Sequence, residues 1–485
     1  MFPPADNQFF NDLSLSKEDT SRDTGVKKRK FQDRMSPIKN YIVWILIFVM
    51  LLFATYARIS AYGDLRLSIQ TIDTPSFVTS SRAPLFSFDM FAGRRLFTTN
   101  LLYKLLVEKE DCAKAGFSNP ALGQETLRET GSCFQGIVIL QNIASIIGWI
   151  ALAIASARWM KSPPLKLLAA TTIVFFGFTP HIAEWDSVLG SESLSLSFYA
   201  LLLALVIELS FRLQMDFSIN TISRQTRILL LLWAIILTAW IFVRDVHLYT
   251  ALITLVLIIP LLFHSPTWKH NLKWWIFAFL AGLLILGWYS SQSSPRWKIS
   301  INAILEFYIF PHETRTDYFI EQGMPRDIQS DEFHAWFDEN ASIVYLKFLV
   351  THPGFVFTTV LDYLPYFRSD FVQPYFDIPE MGIRDSLIEV GEIVHPQTLG
   401  IYLVDLIILS ALINNALHKK SVQAFAWAWT ATWMFTFSAL SLFLSYFGDP
   451  YGVRRHLYPS VESFRLFFWV YLFAVLDLLP HTSEK

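Results

Sequence analysis

The sequence predicts an all-α polytopic membrane protein with about ten transmembrane helices. Three observations carry this. Of 485 residues, 53% are hydrophobic and only 16% charged, with a mean hydropathy of +0.38, whereas soluble domains carry about 25% charged residues. The apolar residues fall in long runs rather than at amphipathic spacing, and a run of about 20 is what a helix needs to cross a bilayer. Basic residues concentrate on alternate short connections, as the positive-inside rule requires.

Residues 1–40 are polar without apolar period and read as a disordered cytoplasmic tail. The tail ends in Lys27, Lys28, Arg29, Lys30, Arg34 and Lys39, just before the first apolar run. Positive charge there holds that end in the cytoplasm; a nucleic-acid patch is the weaker reading so close to a bilayer. The tail is too long and too acidic to open a cleaved signal peptide, so residues 41–56 form a retained span. Further spans are expected at 134–156, 165–179, 193–211, 228–243, 247–262, 274–289, 399–417, 424–446 and 464–479. Connections assigned to the cytoplasm carry Arg158, Lys161 and Lys166, then Arg212, Arg224 and Arg227, then Lys269 and Lys273, and finally Lys419 and Lys420. Both termini are therefore placed inside.

This divides the chain into the tail 1–40, an N-terminal membrane module 41–290 with a helical first external loop, an external segment 291–398, and a C-terminal membrane module 399–485. The segment 291–398 is too polar to be all membrane and too aromatic to be disordered. Interfacial helices are expected there, over 340–350 and 355–364 on either side of His352-Pro353-Gly354. No internal repeat of a transporter is evident. The two cysteines, Cys112 and Cys133, both fall in the first external loop and could form a disulfide; two unrelated thiols is the alternative.

The unusual residues gather on the external side. The first loop holds Asp64 and Asp73 as possible bases and Arg94 and Arg95 as anion binders. Asp73 precedes Thr74-Pro75, so its competing role is a helix N-cap; for Arg94 and Arg95 it is pairing with membrane lipid headgroups. The second constellation, 181–198, brings Glu184 and Asp186, and Glu192 heads a span rich in serine. A carboxylate entering the membrane points to function, against a capping role with Ser191. The turn 243–249 carries Arg244 and Asp245, whose plain reading is a local ion pair. The late stretch 448–471 places Arg454, Arg455 and His456 at the outer mouth, where paired guanidinium donors suit a phosphate.

An acidic first external loop, a second acidic loop after the third span and a late Arg-Arg-His-Leu-Tyr-Pro turn (454–459) together resemble the C-type (GT-C) glycosyltransferase superfamily. The branch is the bacterial one related to protein O-mannosyltransferases and lipid A aminoarabinose transferases. The resemblance covers roughly the whole membrane region through short motifs. It implies a hexosyltransferase using a polyprenyl-phosphate sugar donor, inverting at the anomeric carbon in a bacterial plasma membrane. It also implies a catalytic Asp in the first loop, best matched by Asp73 with Asp64 in reserve. Glu184, Asp186 and Glu192 match its second acidic loop, and Arg454 and Arg455 match its donor-phosphate binders; Arg94, Arg95, Arg244 and His456 join them in this reading. No D-E or D-x-D pair stands in the first loop, which leaves divalent-metal dependence and the acceptor open, and no cofactor is otherwise implied. The alternatives are a lipid-linked glycan flippase or an O-antigen-ligase-like transferase. Most ionisable residues sit in the outer loops, with Asp405, Glu208 and Glu462 the main exceptions, which counts against a charged path across a membrane.

Overall fold

The computed structural model describes residues 26–63, 65, 67–71, 73–107, 128–130, 133–218, 221–264, 272–372, 382–419, 421–448, 450 and 453–479. Its elements, in chain order, are α1 (Val26–Tyr62), β1 (Leu67–Gln70), α2 (Thr74–Ser81), α3 (Phe88–Ala92), α4 (Phe97–Leu106) and β2 (Arg128–Thr130). There follow α5 (Gln135–Arg158), α6 (Pro163–Phe178), α7 (Pro180–Ala183), β3 (Val188–Leu189), α8 (Glu192–Ser218), α9 (Arg224–Ile241), α10 (Leu248–His264) and α11 (Leu272–Gln292). The chain continues through α12 (Arg296–Ile304), α13 (Glu313–Glu321), α14 (Asp331–Thr351), α15 (Pro353–Tyr363), α16 (Gly382–Val394), α17 (Gly400–Lys419), α18 (Val422–Gly448) and α19 (Val453–Leu478).

Among the described residues, seven helices are long and apolar enough to cross a membrane, or up to nine if each bent pair forms one span. The first pair, α6 and α7 with the turn to Ser187, bends by 45°. The second, α14 and α15 through Arg368, bends by 88° at His352-Pro353, where Pro353 cannot continue the hydrogen-bond ladder of α14. The run expected at 247–262 appears as a shorter apolar helix, Asp245–Ile259. The last expected run lies within α19. The first loop is helical, as expected, through α2, α3 and α4. α1 begins at Val26, well ahead of the first expected span at 41–56. Lys and Arg are good helix formers, and the adjoining span supplies a helix already nucleated, so no new nucleus is needed to extend it backwards.

Packing explains which faces are lipid-facing. α1 buries Ile47, Leu51 and Ala54, yet leaves Ile45, Phe48, Leu52 and Phe53 more than half exposed. A helix apolar on both faces belongs in hydrocarbon. Inside the bundle, close approach depends on small residues. A Cβ added at Gly148 of α5 would fall 2.5 Å from the carbonyl oxygen of Ser197 in α8, and one at Gly177 of α6 would fall 2.1 Å from the Trp149 ring.

A small three-stranded sheet, order β2-β1-β3, holds one end of the bundle. β1 pairs antiparallel with β2 and parallel with β3, aligning Ile69 with Val188 and Gln70 with Leu189. Thr74 Oγ1 adds a 3.1 Å bond to the Leu189 carbonyl. This pairing ties the segment leading to Asp73 beside the segment leading to Glu192. Strands this short leave no periodic signal, and none was expected from the sequence.

Candidate active site

Asp73 stands at the N-cap position of α2, with Pro75 in the first turn, but its side chain makes no capping bond. The helix start is closed instead by the Asp73 carbonyl, which accepts from the Ser76 hydroxyl at 2.6 Å and its amide at 2.9 Å. The carboxylate is thereby left for charge. Oδ1 accepts from Arg95 Nη2 at 2.6 Å and Oδ2 from Arg455 Nη2 at 2.5 Å. Burial alone pushes this carboxyl upward, but the Arg455 and Arg95 guanidinium groups outweigh it and hold the carboxyl at about 2.

Arg95 is fixed on two further sides. Its Nε donates to Ser76 Oγ at 2.7 Å, and its guanidinium lies over the Phe77 ring, 4.2 Å from the centroid. Arg455, on the first turn of α19, bridges two carboxylates, since its Nε lies 3.2 Å from Glu192 Oε1. Arg244 reaches the same oxygen at 3.6 Å and donates to His456 Nδ1 at 3.0 Å. A guanidinium has donors only, so Nδ1 of His456 is the acceptor and carries no proton. Glu192 is buried at the head of α8, and Gly190 makes room for it: a Cβ there would fall 2.3 Å from Oε2.

Among the described residues, three guanidinium groups thus face two carboxylates, an excess of one positive charge. Asp73, Arg95 and Arg455 are each about a quarter to a third exposed, while Glu192 is closed off. The cluster is a shallow cationic mouth over a buried acidic anchor. It joins residues from the first loop, the second acidic loop, the turn before α10 and the late Arg-Arg-His turn.

The other expected site residues lie elsewhere. Asp64 lies outside the described residues. Arg94 is exposed and lines a separate cavity of about 400 Å³ with Asp89 and Ser293. Arg454 turns to the Asp370 carbonyl and the Phe371 ring. Glu184 and Asp186 are buried in pairs of their own. Glu184 Oε1 accepts from Arg384 Nε at 2.6 Å, and Asp186 pairs with Arg58 and accepts from Ser193 Oγ at 2.5 Å. Asp245 does not pair with Arg244; it makes a two-pronged contact with Arg296, at 2.8 and 3.0 Å, because the turn directs Arg244 inward to Glu192. Cys133 is not a free thiol; Cys112 lies outside the described residues.

A second polar cluster was not foreseen. His395 Nδ1 sits 2.6 Å from Glu462 Oε2, and its Nε2 sits 2.9 Å from Thr179 Oγ1. Glu462 also takes a 2.6 Å bond from Arg465, and the His395 ring stacks on His181, 4.3 Å between centroids. His181 in turn meets Asp370 at 3.1 Å. Hydroxyl, imidazole and carboxylate in line form a nucleophilic arrangement, but Thr179, His395 and Glu462 are all buried. With no access for a substrate, the cluster serves to join α6, α16 and α19. The cluster's sequence signal lay in the stretches 181–198 and 448–471, which hold His181, Glu462 and Arg465.

Among the described residues, no group of three or more His, Cys, Asp and Glu gathers to hold a metal ion. Both oxygens of Asp73 already face guanidinium groups, a donor set unsuited to a divalent cation.

Neither a family model nor a curated protein matches the sequence. Among solved structures, the chain is similar to the archaeal oligosaccharyltransferase AglB from Archaeoglobus fulgidus in complex with an inhibitory peptide and a dolichol-phosphate, with 11% identity and a TM-score of 0.38. The likeness covers 89% of this chain and 50% of that one, so the chain spans about half its length. At that degree of likeness, the case for function rests on the Asp73 cluster itself.

Proposed function

We propose that this protein is a membrane glycosyltransferase that moves a hexosyl group from a polyprenyl-phosphate donor to an acceptor on the extracytoplasmic face, with inversion. The observation that carries the proposal is Asp73 set between Arg95 and Arg455 at a solvent-accessible edge of the bundle. Asp73 takes the proton from the acceptor's nucleophilic atom as that atom bonds to the anomeric carbon. The bond between the anomeric carbon and the phosphate oxygen breaks, and the electron pair leaves on the lipid phosphate. Arg455, with Arg95 beside it, meets the charge developing on that oxygen. A lipid phosphodiester carries one negative charge, which suits the single excess positive charge of the cluster's described residues. Glu192, Arg244 and His456 hold the cluster from behind.

The outward orientation is supported by the basic residues on the connections at the opposite end, with both termini cytoplasmic, and a bacterial plasma membrane is the setting that fits the resemblance. The flippase alternative is less favoured. Glu208 pairs with Arg212 and Arg158, and Glu462 with Arg465 and His395. Asp405 is thus the one of the three buried in the bundle without a hydrogen-bond partner among the described residues, and one such carboxyl does not line a path. The test is turnover of purified protein with polyprenyl-phosphate hexoses, scored by release of free lipid phosphate. Asp73→Asn should abolish release while leaving expression and membrane insertion intact. Full release by that variant would remove Asp73 from the role.

A further inference from the structure

We infer that the lipid phosphate itself unmasks Asp73 by drawing Arg455 off the carboxylate, and that Glu192 is the positioning residue on which Arg455 pivots. The inference rests on the glycosyl-transfer reading and deepens it.

Asp73 as it stands is a poor base. Arg95 and Arg455 occupy both of its oxygens, and a carboxyl held at about 2 scarcely attracts a proton from an acceptor. A reaction that uses Asp73 therefore needs one guanidinium to leave. Arg95 is not free to do so, being held by Ser76 and by the face of Phe77. Arg455 is differently placed. It touches Asp73 through a terminal nitrogen, Nη2, and Glu192 through the inner nitrogen, Nε. Turning about the Glu192 contact swings the terminal nitrogens while the tether is kept.

The local backbone favours that motion. Pro459 lies inside α19, so the helical bond that residue 459 would make to the carbonyl of residue 455 is missing, and the first turn is less firmly tied. Arg455 is one-third exposed, so an anion can reach it. A phosphate presents paired acceptor oxygens that match the guanidinium fork, which lets it compete with a carboxylate held by one nitrogen. Glu192 stays where it is because it is buried and Arg244 also reaches the same oxygen, at 3.6 Å. Among the described residues, the charged and titratable groups facing Asp73 are then Arg95 from the first loop, Glu192 from α8, and Arg455 and His456 from α19, with Arg244 behind them. Only Arg455 changes partner. Asp73 becomes a base only once the leaving group is seated, which orders donor before acceptor.

Farnesyl phosphate, a polyprenyl phosphate without a sugar, is a direct probe. It is titrated into the full chain in lipid nanodiscs, with binding followed by calorimetry and the Asp73 carboxylate by infrared difference spectroscopy, the band assigned through Asp73→Asn. The parent should bind saturably with a shift of the Asp73 band. In Arg455→Gln the band should start at the shifted position before any ligand is added. In Glu192→Gln, Arg455 loses its tether and settles on Asp73, so binding should weaken by roughly tenfold, the scale of one lost charge-assisted contact. The band should then stay put even at saturation, and Glu192→Asp should restore the shift. Parent binding without a band shift, or a shift that survives in Glu192→Gln, overturns the inference and leaves the transferase reading standing. No binding of farnesyl phosphate by the parent overturns both.

Discussion

Glu184→Gln should weaken the fold rather than the chemistry. Glu184 is fully buried, its partner Arg384 is 4% exposed, and the pair is bonded at 2.6 Å. The substitution preserves volume but takes from a buried guanidinium the carboxylate bonded to it at 2.6 Å. Removing one member of a buried pair costs about 3–5 kcal/mol, because the remaining charge is neither hydrated nor neutralised. Against a typical total of about 5–15 kcal/mol, such a loss lowers the unfolding temperature clearly. Replacing both members by apolar residues, Glu184→Leu with Arg384→Met, removes the buried guanidinium charge as well and should recover most of the loss. Tryptophan fluorescence during thermal unfolding in detergent reads all three proteins. The reasoning is refuted if Glu184→Gln unfolds with the parent yet fails to transfer sugar, since the carboxylate would then act in the chemistry.

Three further outcomes follow from the same geometry. Gly190→Ala puts a Cβ where the Glu192 carboxylate now lies, so turnover should fall at least roughly tenfold, the scale of one lost charge-assisted contact, with little change in unfolding temperature. Gly148→Ala pushes a methyl against the Ser197 carbonyl, a backbone atom that cannot swing aside; the α5–α8 contact should lose about 1–3 kcal/mol, read as a drop in unfolding temperature. Asp73 is held at about 2 when folded, below its ordinary value of 3.8. Its contribution to stability is therefore complete above about pH 4 and is lost as pH falls towards about 2. Over that window Asp73→Asn should unfold with a shallower pH dependence than the parent.

What the sequence revealed and what it concealed have separate physical causes. The spans were legible because hydrocarbon demands long apolar runs, and Asp73, Glu192, Arg244 and Arg455 stood out as charges beside them. Their pairing was not legible. Asp73 and Arg455 are separated by 382 positions, and nothing local to either says that the β1–β3 register and the first turn of α19 bring them together. Of the adjacent pair Arg454-Arg455, only the second faces Asp73, since neighbours on a helix point about 100° apart. Glu184 and Asp186 looked catalytic because their partners, Arg58 near the end of α1 and Arg384 in α16, lie far off in sequence. Asp73 did fall at a helix start, as its Thr-Pro context suggests, but the cap was closed by backbone and the carboxylate was spared.

The central claim is that Asp73 is the base of a glycosyl transfer from a lipid phosphate. The measurement that tests it most directly is release of free polyprenyl phosphate from polyprenyl-phosphate hexoses by the purified parent and by Asp73→Asn, both reconstituted in the same lipid. The account predicts acceptor-dependent release by the parent and none by the variant, with equal amounts of folded protein. Release by Asp73→Asn at the parent's rate would contradict it.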